Sequence, residues 1–230
     1  MSTRSRSASP LALSAQAPAP VPVAPAPSTR ERLIQAMARA LRERGLHGVG
    51  LAEVLAAAEA PKGVLYHHFP GGKTELATAA IAAVTESMVL RLQNLLSTGA
   101  DPVTALTRWV GEAEHQLVRS RFTAGCPLAT VALETTPDDQ ALRQALDAAF
   151  ARIRSALAEA LAATGIPPAR ARMLAGLVLA AYEGGLLQAR VAQDGAVLQS
   201  VLQGLVRLIE SEMPGRSPAG PHAPAAPEAP

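Results

Sequence analysis

Residues 61–74 read PKGVLYHHFPGGKT, and they gather side chains that the rest of the chain scarcely uses. Lys62 and Lys73 are the only lysines among 21 Lys and Arg, Tyr66 is one of two tyrosines, Phe69 one of three phenylalanines, and His67 and His68 two of five histidines. Pro61 suits a helix start, where its fixed φ fits and its missing N–H is not needed. Pro70-Gly71-Gly72 ends the pattern. Stepping about 100° per residue around the intervening helix puts Lys62, Gly63, Tyr66 and His67 on one arc and Val64, Leu65 and Phe69 on the opposite one. One side is cationic and hydrogen-bonding; the other is apolar and needs a cover.

The cover lies upstream. Ser28-x-x-Glu31 is a capping box, in which two side chains satisfy free amides at a helix start. Leu33, Met37, Ala40 and Leu41 recur at helical spacing after it, and Gly45 stops the run. A second, short helix runs from Leu51 to about Ala58 with Leu51, Val54 and Leu55 on one side. Three such helices make a helix-turn-helix arrangement whose third helix enters the DNA major groove. Lysine meets phosphate as a point charge, Tyr and His add directional hydrogen bonds, and a glycine lets backbone come close. Lys73 begins the next helix, where free amides also favour a phosphate.

Downstream, helical periodicity holds from Lys73 to about Ser97, roughly 25 residues and so about 37 Å of strut. Further helices are expected over Pro102–Ser120, Pro127–Leu133, Asp138–Thr164, Pro168–Asp194 and Ala196–Glu212, punctuated by Gly-Ala-Asp-Pro, Ala-Gly-Cys-Pro and Thr-Gly-Ile-Pro-Pro. Nothing alternates at period two for long enough to be a strand, so the fold class is all-α. Hydrophobic residues at 49% allow a sizeable core, and a net charge of +2 leaves any anionic partner to be met by a local patch. The Pro/Ala-rich ends, residues 1–27 and 213–230, are expected to be disordered. One cysteine cannot form an internal disulfide. Arg4 and Arg6 precede only Leu11-Ala12-Leu13 before a proline run, too short for a secretion signal. The longest apolar stretch, Met173–Tyr182, is far short of the roughly 20 residues of a membrane span. A cytoplasmic protein with no membrane partner is expected.

The segment Thr29–Ala80, with LYHHF followed by Lys at the head of a long helix, resembles the DNA-binding domain of the tetracycline-repressor (TetR) family of transcriptional regulators. PKGVLYHHFPGGKTEL together with GCPLATVALE (Gly125–Glu134) is similar to the branch that includes the LmrA and YxaF repressors. The resemblance implies a reading domain over 28–80 and a regulatory and dimerisation domain over 81–212. It implies a homodimer on a double-stranded operator, released by a small effector, with no enzymatic activity and no cofactor. It places Lys62, Gly63, Tyr66, His67 and Lys73 at DNA-contacting positions. His68 joins them, although on the wheel its ring points toward the apolar side and a structural role is equally open. The sequence departs from the family at two points. Val64 stands where Ser or Thr is frequent, and Glu59 replaces a turn glycine, which brings strain if that position needs positive φ.

Rival chemistries fit less well. Gly72-Lys73-Thr74 matches the end of a phosphate-binding loop, but that loop needs a glycine at position 67, which is His, and a preceding strand. Adjacent His67 and His68 diverge by about 100°, whereas paired metal ligands sit at i and i+4; His115 and Cys126 together fall short of a ligand set, so no metal is expected. An architectural DNA binder without effector remains the alternative. Against it stand the isolated polar and aromatic residues after Ser97, namely Trp109, His115, Phe122, Cys126, Glu134, Tyr182 and Glu183. Such residues suit a pocket for an apolar or aromatic effector, and Trp109 and Phe122 would serve equally as core. Leu177, Ala181, Leu198, Leu202 and Leu205 recur at near-helical spacing and are expected to bury across a two-fold axis.

Overall fold

A computed structural model describes residues 26–214, which form nine helices and, among the described residues, no strand. The expected disordered tails lie outside these residues except for 26–27 and 213–214. The helices are α1 (Thr29–Arg44), α2 (Leu51–Ala57), α3 (Lys62–His68), α4 (Gly72–Ser97), α5 (Pro102–Arg119), α6 (Pro127–Glu134), α7 (Gln140–Ala162), α8 (Pro168–Ala192) and α9 (Ala196–Glu212). Every expected helix is present, and the ends differ by no more than two residues, as fraying termini allow.

The capping box forms: Glu31 N–H donates to Ser28 Oγ at 3.3 Å, and Ser28 N–H donates to Glu31 Oε2 at 2.7 Å. Leu33, Met37 and Leu41 of α1 are fully buried in one cluster with Val54 and Leu55 of α2, Leu65 of α3 and Phe69 at its C-terminal cap. The α2–α3 turn is held from α1, because Arg32 Nε donates to Ala58 O at 2.9 Å. Glu59 has φ 51° in that turn, the left-handed backbone for which the family's glycine at this position is suited.

At about 1.5 Å per residue the 26 residues of α4 span about 39 Å. The helix packs against α1 at one end and against α5 and α7 beyond, and residue 80 falls inside it without a break. Helix α8 lies between α7 and α9. Gly185 permits that closeness, since a Cβ there would sit 2.9 Å from Leu198 Cδ1. Leu198 and Leu205 are consequently buried in the protomer's own core at 1% and 6% exposure, which corrects their assignment to a dimer face. Periodicity identifies an apolar stripe on α9 without saying which neighbour covers it.

Candidate DNA-reading face and effector cavity

The third helix divides as the wheel requires. Leu65 and Phe69 are buried against α1 and α2, while Lys62, Gly63 and His67 are exposed and Tyr66 shows 61% of its surface. A Cβ on Gly63 would meet nothing within 4 Å, so the protomer's own packing does not call for glycine there. His68 is half-buried, its ring edge-on to Phe69 with centroids 6.5 Å apart, which accounts for a structural part in the head. The guanidinium of Arg30, from α1, stacks 5.2 Å over the Phe69 ring, a cation–π contact that sequence distance concealed. Lys73 is half-buried in the first turn of α4, where amides are unpaired, and Glu75 accepts from Gly71 N–H at 2.7 Å.

Of the isolated residues of the C-terminal half, Trp109, Cys126, Glu134, Tyr182 and Glu183 fall into two cavities that share Cys126. The smaller, about 60 Å³, lies beside Trp109 and Tyr182, whose rings pack 4.8 Å apart. Trp109 Nε1 donates to Met88 O at 3.2 Å, and both rings are buried, so their first role is core. Arg42 and Gln116 also line this space and hydrogen-bond to each other at 2.6 Å. The larger cavity, about 560 Å³, lies among α6, α7 and α8 and is lined by Leu133, Glu134, Phe150, Glu183, Gly184 and Leu187, with Cys126 at its edge. Only the larger falls in the roughly 300–1,000 Å³ range of small-molecule sites. His115 is exposed, and Phe122 lines neither space. Phe122 instead has φ 60° in the turn after α5, its N–H bonded to Leu117 O at 2.8 Å. Both are removed from the expected pocket, because helix rotation and loop course, which set their direction, leave no trace in local spacing.

Glu134 has a part that sequence did not indicate. Its carboxylate lines the larger cavity and also accepts the backbone N–H groups of Leu46 and His47, just past α1. Gly45 makes the seat: its φ is 70°, and a Cβ there would come within 2.1 Å of Glu134 Oε1. Gly125, at the cavity edge, donates its N–H to Arg42 O at 3.0 Å, and Arg190 Nη2 donates to Glu43 O at 3.4 Å. The end of α1 is thus tied to the cavity wall at several points.

Glu183 is the unusual group. Both carboxylate oxygens are buried and have no hydrogen-bond partner among the described residues. Burial pushes its carboxyl up to about 7, and the Cys126 thiol beside it offsets this only in part without completing a hydrogen bond. Burial, and then the nearby Glu183 charge, push the Cys126 thiol well up, so it stays neutral and unreactive.

An exposed cationic helix packed on the apolar faces of two others, with a helical body behind it, defines a helix-turn-helix DNA-binding regulator. Residues 33–80 match the model of the bacterial regulatory proteins of the tetR family, and residues 102–203 match the C-terminal domain of LmrA/YxaF-like transcriptional regulators. The chain is 36% identical to the HTH-type transcriptional regulator Rv0196 of Mycobacterium tuberculosis over 82% of its own length and 97% of the relative. It is 31% identical to the HTH-type transcriptional regulator LmrA of Bacillus subtilis, over 74% of this chain and 90% of that one. The crystal structure of a regulatory protein TetR from Rhodobacter sphaeroides superposes with a TM-score of 0.68 at 28% identity, covering 78% of this chain and 97% of the other. The chain belongs to the tetR family of transcriptional regulators, in its LmrA/YxaF-like branch. It is a regulator and not an enzyme, and its family binds operator DNA and dimerises. No helix of the described residues is long and apolar enough to cross a membrane.

Proposed function

We propose that this regulator binds its operator in the cytoplasm as a homodimer, through Lys62, Gly63, Tyr66, His67 and Lys73 of a reading head spanning 28–80. A small effector in the cavity among α6, α7 and α8, within the regulatory region 81–212, releases it. The observation that carries this reading is the double service of Glu134, at once cavity wall and clamp on the backbone of Leu46 and His47. An occupant that draws Glu134 away frees the loop behind α1 and lets the head tilt with α4. Two heads must meet half-sites about 34–36 Å apart, so a small tilt of each misaligns both.

Helix α8 favours itself as the dimer seam. Met173, Leu177, Ala180, Gly184, Leu187 and Val191 recur at alternate steps of four and three along its uncovered side, the spacing of a helix–helix seam. Leu177, Leu187 and Val191 are 44%, 55% and 80% exposed, which a partner's copy of the same stripe would cover. Of the residues expected at the interface Leu177 lies on this stripe, with Ala181 and Leu202 half-buried at its side.

The test is reciprocal titration. Operator sequences are selected from a random DNA pool, apolar and aromatic compounds are screened for release, and the affinity of a releasing compound is measured with and without saturating operator. A preference of about 1–3 kcal/mol for the released state weakens DNA about 5–150-fold, and linkage makes DNA weaken the compound by the same factor. Equal affinities in the two titrations refute the coupling.

A further inference from the structure

The occupant's chemistry is written in the charges of the larger cavity. Its wall is mostly carbon, from Leu133, Phe150, Leu186, Leu187 and several alanines, and it carries three ionisable groups besides the neutral thiol: Glu134, Glu183 and Arg190. Two of the three are engaged, Glu134 by the Leu46 and His47 amides and Arg190 by Glu43 O. Glu183 alone is left with both oxygens buried and unpartnered among the described residues. Beside it in the wall Gly184 contributes no side chain. A glutamate in an apolar wall is unfavourable until a donor arrives. Two carboxylates against one guanidinium leave the wall with one uncompensated negative charge whenever Glu183 is ionised.

We propose that this cavity takes a lipophilic amine: a hydrocarbon or aromatic body with a single ammonium group that pairs with Glu183. The proposal rests on the reading of the cavity as an effector site and adds its ligand class. The aromatic body lies against Phe150 and Leu133, and the ammonium pairs with the Glu183 carboxylate in the same wall. A neutral body of the same shape leaves Glu183 without a partner, and sites that hold a buried polar group reject analogues that leave it unpaired. An anionic body adds a second negative charge beside the first. The neutral Cys126 thiol, as a weak donor, does not replace the ammonium.

Three probes of one shape test this on the full-length protein at pH 8: 2-naphthylmethylamine, 2-naphthylmethanol and 2-naphthoate, titrated calorimetrically into the wild type and into Glu183→Gln. The amine is expected to bind the wild type at least tenfold more tightly than the alcohol, with naphthoate weakest. In Glu183→Gln the amine should fall to within about threefold of the alcohol while alcohol affinity holds, which a merely misfolded variant would not show. Alcohol or naphthoate equal to the amine in the wild type, an amine preference that survives in Glu183→Gln, or no binding of any probe overturns the proposal. Operator release, read in parallel, separates the two ideas. Amine preference without release leaves the amine site standing and removes the effector reading; release by the alcohol alone keeps the effector reading and removes the amine.

Discussion

Glu183→Gln offers a sharp test of the buried carboxylate because its effect depends on pH with a definite sign. In the folded protein the carboxyl is raised from the ordinary 4.5 to about 7, chiefly by burial. Below pH 4.5 it is protonated in both folded and unfolded chains and costs nothing. As pH rises from 4.5 to 7 the unfolded chain releases the proton while the folded one keeps it, so stability falls, and above 7 the loss stays constant. The displacement from 4.5 to about 7, at 1.36 kcal/mol per pH unit, amounts to about 3 kcal/mol. About 2.5 kcal/mol of this falls between pH 5 and pH 8. Glutamine keeps the shape and removes the titration, so the variant should gain on the wild type by that amount across the interval. Urea unfolding at pH 5, 6, 7 and 8, at one fixed protomer concentration because a dimer unfolds by mass action, reads the difference directly. With a denaturant slope of about 2 kcal/mol/M the midpoints should separate by about a further 1 M. A gap between variant and wild type that does not change from pH 5 to pH 8 would show that Glu183 is solvated or paired, and the account of the cavity wall would fail with it.

Other expectations follow from the same geometry. Lys62→Ala and Lys73→Ala should each weaken binding across all DNA sequences and lower the slope of log affinity against log salt by about one, as loss of one phosphate contact requires; unchanged slopes in both would remove them from the interface. Leu187→Arg, in the middle of the open α8 stripe, should sediment as a folded monomer, and a dimer of undiminished stability would place the seam elsewhere. Glu59→Gly should stabilise by up to about 1 kcal/mol in thermal or urea unfolding, because glycine accepts φ 51° without strain although it releases more entropy on unfolding; a destabilised variant would mean that Glu59 makes contacts its exposure does not suggest.

What was legible in the sequence was what depends on neighbours a few residues apart. The cap at Ser28 and the division of α3 into wet and buried sides are both set within one helical turn, whereas the left-handed turn at Glu59 was signalled only by the family's glycine at that position. The body of the cavity was only partly legible. Glu183 stood out as a charge in an apolar run, and it does lie in a wall, whereas His115 turned out exposed and Leu198 and Leu205 turned inward. Those outcomes depend on how each helix is rotated about its axis once others pack on it. Glu134 shows the limit most clearly. Its partners Leu46 and His47 lie 88 and 87 residues away, and the only local trace of the link is a glycine at 45 that helix capping already explained.

The packing of α1 has a consequence for how this protein can acquire new targets. One continuous apolar cluster takes in both head and body, with members from Leu33 in α1 to Ile209 in α9. A head transplanted from a relative would therefore arrive with the wrong underside: its α1 must match α4 and α6 of the host, and its residue 45 must leave room for the host's glutamate. The exposed positions on α3, by contrast, meet the protomer only at the head's own surface, Tyr66 over Gly72 and His67 against the His68 ring. Retargeting by rewriting Lys62, Gly63, Tyr66 and His67 in place is the open route, and a library confined to those four codons should yield folded regulators with new operators more often than any exchange of whole heads.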